Sequence, residues 1–313
     1  MRIVALAGGV GGAKLVQGLV STLSPEELII VVNTGDDFFF HGLKICPDID
    51  TICYTLAGLA NNETGWGRKD ESWQFLNALK LITEESWFQV GDKDLATHVY
   101  RTEELNNGLP LHQIVDYLCR KWGIKHKIFP MSDINVMTMI QTKEFGELSF
   151  QEYFVKYQCK PIVEHIHFKS EEIPSPTPGI LEEINKSDAV IICPSNPWLS
   201  IDPILNLTGF TQAIKEKFTV AVSPIVGGRA IKGPAAKIFS ELGIKPTSIA
   251  VAEHYKGLIN AIFLDKEDKN LELAISNMEI DSIITNTIMN SDQEKIQLAN
   301  DVIDYLRRIE IIQ

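Results

Sequence analysis

A chain of 313 residues, 45% hydrophobic and 22% charged, can build the core of one large α/β domain or two smaller ones. Its net charge of −12 and its lack of any basic run exclude bulk binding to nucleic-acid phosphates or an anionic membrane surface, and no apolar run is long enough to span a bilayer. So acidic a protein binds a phosphorylated ligand only through a cation or backbone amides.

Residues 2–7 (RIVALA) form a short apolar strand that runs straight into Gly8-Gly9-Val10-Gly11-Gly12-Ala13-Lys14, too short a run for a signal peptide. Leu15, Val16, Leu19, Val20 and Leu23 then recur at helical spacing. Strand, glycine loop and helix open a nucleotide-binding βαβ unit, so Gly9, Gly11, Gly12 and Lys14 are candidate phosphate ligands. The dinucleotide fingerprint lacks its third glycine and the Walker signature fails at Ala13, which favours phosphate or diphosphate over NAD. A tight turn with close helix packing is the structural alternative.

A second apolar strand, Leu28–Val32, delivers the chain into NTGDDFFFHGLKICPDIDT, which places acidic residues past the carboxyl end of a buried strand. Open α/β sheets bind ligands there. Asp36, Asp37, Asp48 and Asp50 crowd this segment with only Lys44 to offset them. Carboxylates at that density repel unless something positive joins them, and Mg²⁺ takes one or two carboxylates together with substrate phosphate oxygens. Asp36, Asp37, Asp48 and Asp50 together are therefore candidates for a Mg²⁺-dependent phosphate site, with Asn33 at the head of the same segment. Turn chemistry at Gly35-Asp36 and Pro47-Asp48, and Asp50 as N-cap of a helix starting at Thr51, are the structural alternatives.

Helical patterns follow over 71–82 and 111–122. Between them Lys93, Asp94, Thr97 and His98 can face a ligand, although capping by Asp92 or Asp94 is the commoner explanation for such a cluster. Strands are predicted at 127–130, 136–141 and 162–168, with a turn at Gly146, His165 and His167 sharing one strand face, and a Pro/Ser/Glu connector at 170–179. The five cysteines, Cys46, Cys53, Cys119, Cys159 and Cys193, are odd in number and lack a C-x-x-C pair, which reads as reduced thiols in a cytoplasmic protein with no zinc site.

Regular β/α alternation resumes with a strand at 188–193 that ends in Pro194-Ser195-Asn196, and another at 218–223 that opens into the Gly227-Gly228 loop. Ser195, Asn196, Gly227 and Gly228 are candidate ligand donors, with Arg229 and Lys232 adding charge. Apolar stretches at 248–251 and 261–264 and an amphipathic helix from about Ser291 close the chain. The fold predicted is α/β: a Rossmann-like, mostly parallel sheet flanked by helices, built from residues 1–50 and 186–313. A helical and small β insertion, 51–185, forms the other wall of the site.

The strings GGVGGAKL (8–15), NTGDD (33–37), HGLKICPDIDTICYTLAG (41–58), GWG (65–67), GDKDLATH (91–98), PMSD (130–133), CPSNPWLSIDPIL (193–205) and VSPIVGGRAIKGPAAK (222–237) closely resemble the 2-phospho-L-lactate transferase family of coenzyme F-420 biosynthesis. The resemblance implies transfer from a guanosine diphospho donor, lactyl-2-diphospho-5'-guanosine or its enolpyruvyl counterpart, to the deazaflavin Fo, with GMP released. It also implies Mg²⁺ dependence, a cytoplasmic location and a homodimer. On that reading Asp37, with Asp48 or Asp50, holds Mg²⁺ against the diphosphate and one of them takes the hydroxyl proton. Gly9, Gly11 and Gly12 approach the diphosphate, and Ser195, Asn196 and the Gly227-Gly228 loop hold the guanosine phosphate side. Phe38, Phe39, His41 and Trp66 wall the deazaflavin, with core packing the rival role for each phenylalanine. Two other readings compete: a nucleotide-sugar-binding regulator of the related gluconeogenesis and cell-morphogenesis factors, and an NAD-dependent dehydrogenase resting on the broken glycine fingerprint.

Overall fold

The computed structural model describes residues 1–61, 63, 65–230 and 235–312. Lys232 lies outside them.

The chain opens with β1 (Ile3–Ala7), α1 (Gly9–Thr22), β2 (Leu28–Val32), a hairpin of β3 (Phe38–Phe40) and β4 (Leu43–Ile45), and α2 (Pro47–Leu56). It continues through α3 (Gln74–Lys80), α4 (Asp92–Asn106), α5 (Leu111–Lys121), β5 (Lys127–Pro130), β6 (Met137–Thr142), β7 (Gly146–Ser149) and β8 (Val163–Lys169). Next come α6 (Ile180–Lys186), β9 (Ala189–Ile192), α7 (Asp202–Leu205), α8 (Phe210–Lys215), β10 (Phe218–Val222), and a short hairpin of β11 (Ile225–Val226) and β12 (Arg229–Ala230). The chain ends with α9 (Ala235–Glu241), α10 (Ser248–His254), β13 (Ala261–Asp265), α11 (Glu272–Ser276), β14 (Asp281–Thr285) and α12 (Asp292–Ile312).

Seven strands form the main sheet in the order β14-β13-β10-β9-β1-β2-β5, and every pairing is parallel. Strands buried on both faces must be apolar throughout; β1, β2 and β9 are (IVALA, LIIVV, AVII), and every residue in them is buried. Their side chains still alternate between two cores. Ile3, Ala5, Leu28 and Ile30 pack with α1, α2, α5 and α12, while Val4, Leu6, Ile29 and Val31 pack with the helices from α6 to α11.

β5 pairs with β2, so the segment 51–185, read from sequence as an excursion, contributes an edge strand to the main sheet. The rest of that segment holds α3, α4 and α5 and an antiparallel sheet in the order β7-β6-β8, with its own apolar cluster around Ile140, Leu148, Tyr153 and Val163. Gly146 makes the turn between β6 and β7, and His165 and His167 share a face of β8 with ring centroids 5.4 Å apart. All five cysteines are free thiols. No described helix is long and apolar enough to cross a membrane.

Candidate functional site

Connections from β1 lead to β2 on one side and β9 lies on the other, so the strand order reverses at β1. Such a switch point leaves a crevice at the carboxyl ends of the strands. Three loops meet there. Ser195 Oγ, after β9, donates to the Gly8 carbonyl at 2.7 Å and accepts from the Gly8 amide at 3.0 Å. Asn33, after β2, donates from Nδ2 to Asp48 Oδ2 at 2.9 Å, and the Gly9 amide donates to Asp48 Oδ1 at 2.8 Å. Helix α2 begins at Pro47 and not at Thr51, because proline is preformed for a first helical turn. Asp48 and Asp50 therefore both sit in that turn, beside amides that favour negative charge.

The four aspartates have different electrostatic surroundings. Lys44 Nζ lies 3.4 Å from Asp37 Oδ2, which also accepts from the Cys46 thiol at 3.0 Å. Burial still raises Asp37 above its ordinary range, with Lys44 pulling the other way. Asp36 is raised well above the ordinary carboxylate range by burial, then by the charges of Asp48 and Asp37. Burial pushes Asp48 up to about 6, although Asn33 and Gly9 bond its charged form. Asp36 Oδ1 and Asp37 Oδ1 are buried and have no hydrogen-bond partner. Asp50 instead faces Arg101, which is fully buried and bonds both of its carboxylate oxygens. Lys44 thus pairs with Asp37 and Arg101 of α4 with Asp50, while Asp36 faces further negative charge.

Asp94, Thr97, His98 and Arg101 lie at i, i+3, i+4 and i+7 of α4, one buried polar face. Tyr54 Oη donates to Asp94 Oδ1 at 2.7 Å and lies 2.8 Å from Thr97 Oγ1, and His98 bridges Asp94 (3.3 Å) and Asp50 (3.7 Å). Burial works to raise Asp94, but His98 and Tyr54 outweigh it and hold the carboxyl below its usual range. Among the described residues the three metal-capable donors that gather within 4.8 Å are Asp50, Asp94 and His98, not Asp37, Asp48 and Asp50. The cause is Arg101, which turns Asp50 toward α4.

Several other candidates make contacts within the scaffold. Helix α1 starts at Gly9, six residues before the predicted start, so Gly11 and Gly12 lie in its first turns against Pro194 and Ser195. A Cβ on Gly11 would come 2.4 Å from the Pro194 carbonyl oxygen, so helix and loop approach closely there. Lys14 Nζ turns to the Met289 carbonyl at 2.6 Å. Asn196 Oδ1 accepts from the Trp198 and Leu199 amides and caps a π-helical turn over Pro197–Ile201. Gly227 and Gly228, with φ of 56° and 73°, are the central pair of the β11–β12 hairpin, a turn that requires positive φ at both positions. The Gly227 amide is bonded to Asp268.

His41 is at the tip of the β3–β4 hairpin with φ 48°, and its Nε2 lies 2.6 Å from the Glu85 carbonyl oxygen. Phe38 packs into a small core with Phe40, Trp87 and Phe88, whereas Phe39 is exposed under Lys44. Trp66 lines a small cleft with Asn61, Arg68, Trp73 and Asp94. Lys93 is exposed and bonds the Lys69 carbonyl, and Arg229 is exposed as well. The caps at 71–94 are reciprocal: Asp92 accepts from the Gln74 and Phe75 amides of α3, and Glu71 accepts from the Lys93 and Asp94 amides of α4.

Sequence reasoning missed Arg101 and Cys46. Arg101 continues the helical spacing of Asp94 and His98, so a search for polar as well as apolar periodicity would have found it. Nothing in the sequence marks Cys46 apart from its place two residues before Asp48.

A family model described as 2-phospho-L-lactate transferase CofD matches residues 3–303. A phosphoenolpyruvate transferase from Streptomyces griseus is 41% identical over 275 residues, 86% of each chain. The 2-phospho-L-lactate transferase of Methanocaldococcus jannaschii is 37% identical over 306 residues, 97% of each chain, and that of Methanococcus maripaludis is 35% identical over 310 residues, 98% of this chain and 99% of the other. Among solved structures, protein BH3568 from Bacillus halodurans superposes with a TM-score of 0.64 at 13% identity, covering 96% of this chain and 99% of its own, a likeness of fold alone. With matches that run nearly from end to end, the chain belongs to the 2-phospho-L-lactate transferase CofD family.

Proposed function

We propose that this protein transfers a phospholactyl or phosphoenolpyruvyl group from a guanosine diphospho donor to the ribityl hydroxyl of the deazaflavin Fo. The observation that carries the reading is the set of buried, undercompensated carboxylates Asp36, Asp37 and Asp48 at the switch point, in a chain whose relatives are named for these two transfers.

The residues fit Mg²⁺: Asp36 Oδ1 and Asp37 Oδ1 are hard oxygens, buried and unpartnered, with Asp48 adding charge beside them. When bound, the ion supplies neutralisation of the donor's diphosphate, and group transfer of this kind is mostly positioning and charge compensation. The ribityl oxygen forms a bond to the phosphorus that carries the lactyl or enolpyruvyl group. The bond from that phosphorus to the bridging oxygen breaks, and GMP departs with that oxygen. Asp48 takes the hydroxyl proton, because burial raises its carboxyl while Asn33 and the Gly9 amide still favour its charged form. Asp50, clasped by Arg101, is less suited to that task and fixes α2 against α4. Trp66 and Trp73 flank a cleft that leads to Asp94, and they supply flat apolar faces for the deazaflavin. The reading carries with it a cytoplasmic enzyme that works as a homodimer.

Fluorescence titration with Fo, with and without Mg²⁺ and GDP, tests the proposal. Saturable binding near one Fo per chain supports it. A folded sample that ignores Fo and binds a UDP-sugar instead points to the regulatory reading.

A further inference from the structure

Thr138 is the second residue of β6, the central strand of the three-stranded sheet, and is 1% exposed. Its amide donates to the Gly35 carbonyl at 2.7 Å, which fastens that sheet to the NTGDD loop after β2. The side chain comes closer still. A Cβ on Gly35 would lie 2.6 Å from Thr138 Oγ1, so glycine at position 35 is what admits the hydroxyl. Yet this buried hydroxyl has no hydrogen-bond partner, and neither has Thr34 Oγ1, Asp36 Oδ1 or Asp37 Oδ1. Three of these unpartnered oxygens belong to one short loop, and the fourth belongs to the strand laid against it.

Buried polar atoms are almost always satisfied. A hydroxyl can donate and a carboxylate can accept, yet neither Thr34 nor Thr138 is bonded to Asp36 Oδ1 or Asp37 Oδ1. The carboxylates call for a cation, and the hydroxyls call for an acceptor. A diphosphate together with a divalent cation answers both demands at one place. We propose that Thr138 is a binding residue for the donor's diphosphate and gives its hydroxyl proton to a phosphoryl oxygen, an inference that rests on the transferase reading above. The small sheet of the segment 51–185 then reaches into the site through one side chain.

Calorimetric titration of the full chain with GDP and Mg²⁺ tests this, with GMP, Fo and Mn²⁺ alone as the comparison ligands. Thr138→Val keeps the shape and removes the hydroxyl; Thr138→Ser keeps the hydroxyl. Loss of a hydrogen bond to a charged group predicts GDP binding weaker by about tenfold or more in the valine variant, restored in the serine variant, with GMP, Fo and Mn²⁺ affinities unchanged. Thr138→Ala is read in the same way if circular dichroism shows that the valine variant does not fold. Unaltered GDP binding by a variant without the hydroxyl overturns the inference and leaves the transferase reading standing. An equal loss of Mn²⁺ binding also overturns it, because the hydroxyl is then a cation ligand. Wild-type protein that binds neither GDP nor Fo overturns both.

Discussion

Arg101 lies wholly inside the protein and holds both oxygens of Asp50, with Nη1 3.1 Å from Oδ2 and Nη2 closer still to Oδ1. The same guanidinium donates to the Lys44 carbonyl at 3.2 Å, so one buried cation joins α4, α2 and the strand that carries Lys44. Removing one member of a buried pair leaves the other charged and unpaired, at a cost of about 3–5 kcal/mol. Arg101→Met should therefore lower the urea midpoint by a corresponding amount, and Asp50→Leu combined with Arg101→Met should recover much of the loss. A double variant no more stable than Arg101→Met alone would show that the pair is not the dominant contact.

Asp48 and Asp36 give a pH dependence of defined sign. Their carboxyls are raised in the folded state, Asp48 from 3.8 to about 6, so between pH 4 and 6 the folded chain keeps protons that the unfolded chain releases. Stability from Asp48 accordingly falls as pH rises through that window, by about 3 kcal/mol, and a bound cation offsets the loss. Thermal melts should show Mg²⁺ raising the midpoint at pH 8 and having little effect at pH 5, because protons compete for the same oxygens. Activity should decline below pH 6 as Asp48 takes up a proton.

Cys46 Sγ donates to Asp37 Oδ2 and leaves Oδ1 for other use. Cys46→Ala removes that donor, and Mn²⁺ affinity measured by electron paramagnetic resonance should shift severalfold. Cys46→Ser should stay near the wild type. Equal affinities in all three proteins would remove Cys46 from the site.

Gly11 tests the packing role assigned to the glycine segment. Its missing Cβ faces the backbone oxygen of Pro194 at 2.4 Å, and backbone cannot swing aside as a side chain can. Gly11→Ala should destabilise by about 1–3 kcal/mol, read from denaturant unfolding. A variant of undiminished stability that has lost GDP affinity would return Gly11 to the diphosphate.

The central strands were legible because parallel strands covered on both faces have no polar positions: LIIVV and AVII admit no other reading. β14 was not, since the edge strand DSIIT is half-exposed and lacks that continuity. The β3–β4 hairpin was hidden by FFF, which reads as ligand wall or core with equal ease until Phe38 and Phe40 are seen packed on Trp87. At the site, the position of the aspartates beyond β2 followed from strand length alone. Their pairing did not, because Arg101 lies 51 residues from Asp50 and only the docking of α4 on α2 decides which carboxylate it neutralises. The glycines could be read two ways for a physical reason: close helix packing and phosphate approach both demand a missing side chain, and sequence alone does not say which neighbour fills the space.

The central claim is tested most directly by incubating the protein with Fo, Mg²⁺ and lactyl-2-diphospho-5'-guanosine, or its enolpyruvyl counterpart, and following products by mass spectrometry. The account predicts Fo gaining one phospholactyl or phosphoenolpyruvyl group as one GMP is released, with the yield abolished in Asp48→Asn. Fo left unmodified by folded protein with both donors would contradict it.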